Sequence, residues 1–338
     1  MSFKRFDTQD IVVSSDSITG TAWSTGNPTL TSFFTSSVQV NGSSGDFYVS
    51  VFQVDPDLSS SLSKVQFDVA YCDNKGSGSA YYNEGVVGKT PTLTNFGQYR
   101  ALILEDENAN FTFGTGANVV TGSHFYAISV DRARYKESLF PETFNLHLSA
   151  SGGTLKLTND SKDVLVNNFL GSTRVFQVVS GSNGSAISAN SGYSPTLGSY
   201  GLFLPDIGTV LLNPQAISES ILLEASRSNN SDGLNEESLV TAIKRAGNFQ
   251  LNSQETISSD FVFVRLRNGE FNYSENPSFI SGSTGEVIYS NFINQPQVYI
   301  TTVGMYNDAN ELLATAKLSR PLLKDFTKEA LIRVKLDF

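Results

Sequence analysis

The side chains with the most chemical reach are few. The chain holds one cysteine, Cys72, and two histidines, His124 and His147. A lone thiol leaves no intrachain disulfide framework and no multi-cysteine metal centre. Cys72 reads as a small, partly buried apolar side chain. Zinc would have to rely on carboxylates, which is not its ordinary ligand set, so no metal site is expected. A Ser/His/Asp triad would draw on the same two histidines. The run Ser182-Asn183-Gly184-Ser185 lacks the GxSxG turn that presents a nucleophilic serine. Gly76-Ser77-Gly78 and Gly114-Thr115-Gly116 do not continue into a phosphate loop opening a helix. No catalytic residue, cofactor or metal ligand is assigned, and the chain is expected not to be an enzyme.

Charge offers other candidates. Glu105-Asp106-Glu107 supplies hard oxygen ligands of the kind calcium takes, but the spacing matches no calcium loop, and a solvated acidic turn is expected. Asp131-Arg132-Ala133-Arg134-Tyr135-Lys136 is the most basic stretch. If the strand before it continues, Arg132 and Arg134 share one side, which suits carboxylate clamping. An interface patch and an internal ion-pair cluster beside Glu137 and Glu142 are both open readings. Near the C-terminus, Arg333, Lys335 and Asp337 alternate with Ile332, Val334 and Leu336, and Phe338 extends the apolar row. At period two one face is core and the other meets solvent or an acidic neighbouring subunit. The candidate interface residues are therefore Arg132, Arg134, Lys136, Arg333 and Lys335. Tyr71, Tyr81, Tyr82, Tyr99, Tyr126 and Tyr135 gather in the first β region. A sugar-binding face would use such rings, though core and interface packing is the plainer reading.

These residues sit in a chain of 338 with a net charge of −10. That sign opposes nucleic acid and anionic membranes. No run of about 18 apolar residues is present to span a bilayer. The opening Met1-Ser2-Phe3-Lys4-Arg5-Phe6-Asp7 is too polar for a secretory leader, so synthesis in a cytoplasm is expected. Charged residues make up 17%, below the usual quarter or so, and Gly numbers 27, which favours strands and turns over surface helices.

Val65–Tyr71 alternates apolar and polar, and Phe47–Phe52, Ala80-Tyr81-Tyr82, Phe111–Phe113, Phe125–Val130 and Phe144–Leu148 continue a series of short strands. Leu202–Leu204 and Thr209–Leu212 flank Pro205-Asp206 as a hairpin. One helix is expected near 236–246, with Asn235 as N-cap, Leu234 and Leu239 as a staple, and Gly247 as its stop. Phe261–Leu266, Val298–Val303, Leu312–Leu318 and the last nine residues are β again, with a turn at Asn307–Asn310. The fold class is mainly β, with antiparallel sandwich- or barrel-like domains and few short helices. The expected domains are an N-terminal β domain over 1–150, a β-rich middle domain over 151–255, and a C-terminal β module over 256–338.

Several stretches resemble virion structural proteins of contractile-tailed (myovirus) phages, the marine cyanophage type in particular. They include Met1–Asp7 with Ile11–Ser14, Phe33–Ser37, Gly97–Arg100, Asp131–Glu137 and Tyr200–Gly208. The most distinctive are Asn268–Phe279, Tyr299–Asn307, Leu312–Ser319 and Val334–Phe338. The resemblance covers nearly the whole chain and implies no catalytic residues. It implies a non-enzymatic tail or baseplate component, assembled in the host cytoplasm into the virion. Its partners would be other virion proteins and copies of itself, with no nucleic acid and no membrane insertion. A head, neck or vertex component is one alternative, and a host-surface glycan-binding or depolymerising protein is another.

Overall fold

The computed structural model describes residues 4–35, 48–55, 63–78, 90–227, 235–274 and 276–337. Ala80-Tyr81-Tyr82, Leu234 with its staple, most of the polar loop before it, and Phe338 lie outside the described residues. In chain order the strands are β1 Ile11–Thr21, β2 Thr29–Leu30, β3 Phe34–Thr35, β4 Val49–Phe52 and β5 Val65–Asp73. Helix α1, Pro91–Leu104, precedes β6 Phe111–Phe113, β7 Val120–Gly122, β8 His124–Val130, β9 Ser138–Ala150 and β10 Gly153–Asn159. Next come β11 Asn168–Leu170, β12 Thr173–Ser182, β13 Ser185–Ala186, β14 Gly201–Leu204 and β15 Thr209–Leu212. Helices α2 Pro214–Ile221 and α3 Asn235–Ala246 lead to β16 Phe249–Leu266. Helix α4 Ser290–Asn294 and strands β17 Gln297–Tyr306, β18 Leu312–Asp325 and β19 Ala330–Asp337 complete the chain. Strand makes up 46% and helix 17%, so the fold is mainly β, with a large antiparallel sheet that does not close into a barrel.

The chain divides into two compact units. The central unit is Ile18–Glu255; the terminal unit joins Met1–Ser17 to Thr256–Phe338. The division expected at 150 falls in the tight turn of the β9–β10 hairpin, where Ala150 pairs with Gly153. Glu255 is the last residue of the central unit, and the terminal unit adds Met1–Ser17 to the segment that follows it.

In the central unit the sheet runs β16–β9–β10–β12–β14–β15–β8–β5–β4–β3. Its register lines up two cross-strand rows. Val69, Ile128, Val210, Phe203 and Phe176 are successive partners on one face. Ala70, Ala127, Leu211 and Leu202 are partners on the other. Both faces are covered. Ala216, Ile217 and Ile221 of α2, with Leu239, Val240 and Ile243 of α3, close the first. Phe96 and Ile103 of α1, with Phe111 and Phe113 of the β6–β7 hairpin, close the second. The polar positions expected along Val65–Tyr71 are accordingly buried or half-buried, because helices lie on both sides of β5. The larger core is aromatic at its centre: Phe249 meets Trp23 at 4.9 Å and Phe67 at 5.2 Å, and Phe144 stacks on Phe203 at 4.8 Å.

Local chemistry explains the helix ends. Asn213 accepts from the N–H groups of Gln215 and Ala216, and Pro214 takes the first helical position of α2. Gly247 stops α3 at φ +67°.

In the terminal unit, β16 and β19 pair antiparallel from Ser259↔Asp337 to Leu266↔Ala330, and β17 pairs with β18. Val262, Val264, Leu266, Ile332 and Val334 form the inner row, joined by Met305 of β17. Ile300, Val303, Ala316 and Leu322 pack onto it, so two small β layers enclose one core. The terminal strand is amphipathic as expected: Ile332 and Val334 are buried, Leu336 is half-buried, and Arg333, Lys335 and Asp337 are exposed.

Two outcomes follow. Phe144→Ala should cost the central unit about 3–5 kcal/mol. The fluorescence of Trp23, the single tryptophan, two rings away through Phe249, reports it in a urea titration. An unchanged midpoint would show that the stack contributes little. Ile332→Ala should destabilise the terminal unit by about 2–4 kcal/mol. Pulse proteolysis should then cut faster at Lys317, Arg320 and Lys328, and unchanged cutting would show the inner row to be dispensable.

Candidate functional site

The basic stretch after β8 does not continue as a strand. Asp131 accepts from Ala133 N–H at 2.7 Å and starts one turn of 3-10 helix over Arg132–Arg134. The two arginines therefore do not share a strand face, and this corrects the clamp geometry. Arg132 donates to the Tyr135 carbonyl at 2.6 Å with its guanidinium 4.6 Å from the Tyr135 ring centre. Arg134 is half-buried. Lys136 is exposed and pairs with Glu255 at 2.7 Å, while Glu142 pairs with Lys162, so neither ion pair is the local one envisaged. Arg333 and Lys335 lie on the terminal unit, whereas Arg132, Arg134 and Lys136 lie on the central one.

The most concentrated polar chemistry lies elsewhere and is buried. Asp73 ends β5 with its side chain fully enclosed. One carboxylate oxygen accepts Nε of Arg227 at 2.7 Å, and the other accepts the N–H of Lys75 at 2.7 Å. His124 is the direct cross-strand partner of Asp73. Burial, with Arg227 adding to it and Asp73 opposing, lowers the His124 imidazole to a pKa of about 4, so it is neutral at pH 7. Nδ1 of His124 lies 3.0 Å from Oγ of Ser123. Glu236, in the first turn of α3, is 2% exposed and accepts the backbone N–H of Tyr71 at 3.2 Å. Burial raises the Tyr71 and Tyr126 phenols well above their usual range.

Asn235 ties the cluster together. Its side-chain nitrogen donates to the carbonyls of Ser226 at 2.9 Å and Gly78 at 3.3 Å, and its oxygen accepts Ser226 N–H at 2.8 Å. It is itself the first residue of α3, and its side chain fastens two loops to the start of the helix. Thr90 adds a bond to the Gly76 carbonyl at 2.7 Å, and Thr92 one to Ser77 at 3.0 Å. Asp73 and Arg227 pair in charge, and the bonds of Asn235, Thr90 and Thr92 hold the surrounding loops. Cys72, beside them, is fully buried, and burial raises its thiol far from the range in which it would be a nucleophile.

The other expected positions are placed plainly. His147 is half-buried against the Asn248 side-chain amide, and burial lowers it as well. Glu105, Asp106 and Glu107 form an exposed turn. Among the described residues no group of three or more His, Cys, Asp and Glu is placed to hold a metal ion. No described helix is long and apolar enough to cross a membrane. Tyr71, Tyr126 and Tyr135 are core residues, and Tyr99 bonds Ser129 at 2.8 Å under α1, so these four do not form an exposed sugar-stacking face. A shallow depression of about 280 Å³ lies between α3 and the end of β9, with Glu237 and Arg245 at its rim.

Asp160 supplies a second titration. It accepts Gln177 N–H at 2.9 Å, yet burial raises it to a pKa of about 6. The two groups tilt stability in opposite directions. Neutral His124 stabilises the fold above its unfolded value of about 6.5, and this is lost as pH falls toward 4. Protonated Asp160 stabilises below its unfolded value of about 3.9, and this is lost as pH rises through 6. Asp160→Asn should therefore steepen the rise of stability between pH 4 and 6.5, read as urea midpoints against pH; identical slopes in both proteins would refute the raised Asp160. Arg227→Ala leaves Asp73 buried and unpaired. It should cost about 3 kcal/mol, at the low end for a buried pair because Arg227 is itself partly exposed.

No protein-family model, curated protein or solved structure matches this chain.

Proposed function

We propose that the chain is a non-enzymatic structural component of a tailed-phage virion, in the tail or baseplate, and that it works through protein–protein interfaces. The observation that carries the reading is the exposure of the terminal unit. More than half of the exposed large apolar side chains among the described residues fall in it, although it holds under a third of the chain. Val13 is 69% exposed, Leu313 68% and Tyr299 65%. Strand β1 carries Ile11, Val12 and Val13 exposed along an edge whose described neighbour is β16. Such surfaces are costly for a free monomer and ordinary for an assembling subunit.

The resemblance of the two ends to virion proteins supplies the setting. The buried state of Tyr71, Tyr126 and Tyr135 weakens the glycan-binding alternative, which would want them on the surface. Immunogold labelling of purified particles of the phage that encodes the chain tests the proposal. Label at the tail tip or baseplate is expected. Label on the capsid would favour the head, neck or vertex alternative, and particles free of the chain by mass spectrometry would overturn the virion reading.

A further inference from the structure

We propose that the outward face of the β16–β19 pair binds the acidic 105–107 turn of a second copy of this chain. The inference rests on the structural-protein reading above for its setting, and it names the partner. Facing outward, Phe261 pairs with Lys335, Phe263 with Arg333, and Arg265 with Leu331. The Arg333 guanidinium lies 5.5 Å from the Phe261 ring centre and Lys335 Nζ lies 5.9 Å from it. Leu331 is 61% exposed, and Arg265, Arg333 and Lys335 are all exposed. The one acid on this row, Asp337, accepts from Lys335 at 2.9 Å and from Ser259 at 2.7 Å. Cation–ring contacts at the surface are weak enough to leave the guanidinium free to take a carboxylate. Arginine beside aromatic side chains is a pairing enriched at protein interfaces.

The matching surface is on the central unit, where most of the net charge of −10 resides. Glu105, Asp106 and Glu107 are consecutive and exposed at the end of α1. They are also held in place. Glu105 has φ +55° and accepts Ser172 N–H at 3.1 Å; Asp106 accepts Asn108 N–H at 2.8 Å. A turn already ordered loses little entropy on docking. Leu102, 56% exposed and one helical turn earlier, offers an apolar side chain to meet Leu331. The two patches thus match in charge and in apolar content. They are different patches, so a contact between copies is heterologous, and repetition yields a ring or a filament.

Sedimentation velocity on the full chain tests this at about 50 mM and about 0.5 M salt, since exposed charge pairs are screened over that range. Self-association is expected at low salt and should weaken about tenfold or more at high salt. Arg333→Glu with Lys335→Glu should weaken it about tenfold, as should Glu105→Lys with Asp106→Lys and Glu107→Lys. An equimolar mixture of the two variants should associate again, because each supplies the charge the other lacks. All five positions are exposed; circular dichroism melts confirm folding, and Arg333→Gln with Lys335→Gln provides a milder arm that should weaken association less. A wild-type chain that is monomeric at low salt, reversals that associate like wild type, or a mixture that stays dissociated would each overturn the proposal. A chain found in particles yet monomeric in solution would sink this inference alone. One that self-associates yet is absent from particles would sink only the virion reading.

Discussion

A strand covered on both faces leaves its polar side chains without water, and β5 and β8 are built under that constraint. Helices α2 and α3 close one side of the central sheet and α1 with the β6–β7 hairpin closes the other. Every donor and acceptor on these strands must then find an internal partner or cost free energy. Gln66, fully buried, answers with bonds to Ser24 and to the Lys64 carbonyl. Asp73 answers with Arg227 and the backbone of its own turn. Asn235 and Glu236 serve the same end from α3. Carboxylate, guanidinium and side-chain amide are thus gathered in one place, and their bonds pin loops to the sheet.

That origin explains which parts were legible in the sequence. The β14–β15 hairpin, α3 and the amphipathic β19 carry local signals: Pro205-Asp206 between apolar runs, acids then bases along one helix, strict alternation at the end. Helix α1 was not expected. Its start, Thr90-Pro91, is a helix signature, but its apolar residues are spread around the axis, since Phe96 and Ile103 are buried while Leu102 is exposed. Arg132–Arg134 misled because the strand pattern through Val130 gives no hint of the Asp131 bond that turns the chain. The Asp73–Arg227 pair was out of reach altogether. Its members are 154 positions apart, and only the sheet order with α3 behind it brings them together.

The terminal unit shows the reverse economy. Its inner row is short, and Lys324, fully buried, gives its ammonium to the Asn268 carbonyl, the Asn272 side chain and the Asp325 carbonyl. Three donors meet three acceptors, so the lysine fastens an irregular loop to β18. Asn307 likewise shapes the β17–β18 turn, accepting Glu311 N–H at 2.8 Å beside Asn310 at φ +61°.

The two halves of the polar inventory therefore differ in what they leave over. In the central unit Gln66, Asp73 and Asn235 find their partners inside the fold, and the net charge left over is negative. In the terminal unit the apolar side chains outnumber the places to bury them, and Leu331, Tyr299 and Leu313 stay in water. Apolar surface that folding cannot bury keeps its driving force for association, at about 25 cal/mol per Å² removed from water. Cations set among those apolar groups, as on the β16–β19 face, do not supply that force; they select against partners of the wrong charge. A chain whose remaining charge is negative then carries, on its own central unit, the complement that such a face discriminates for.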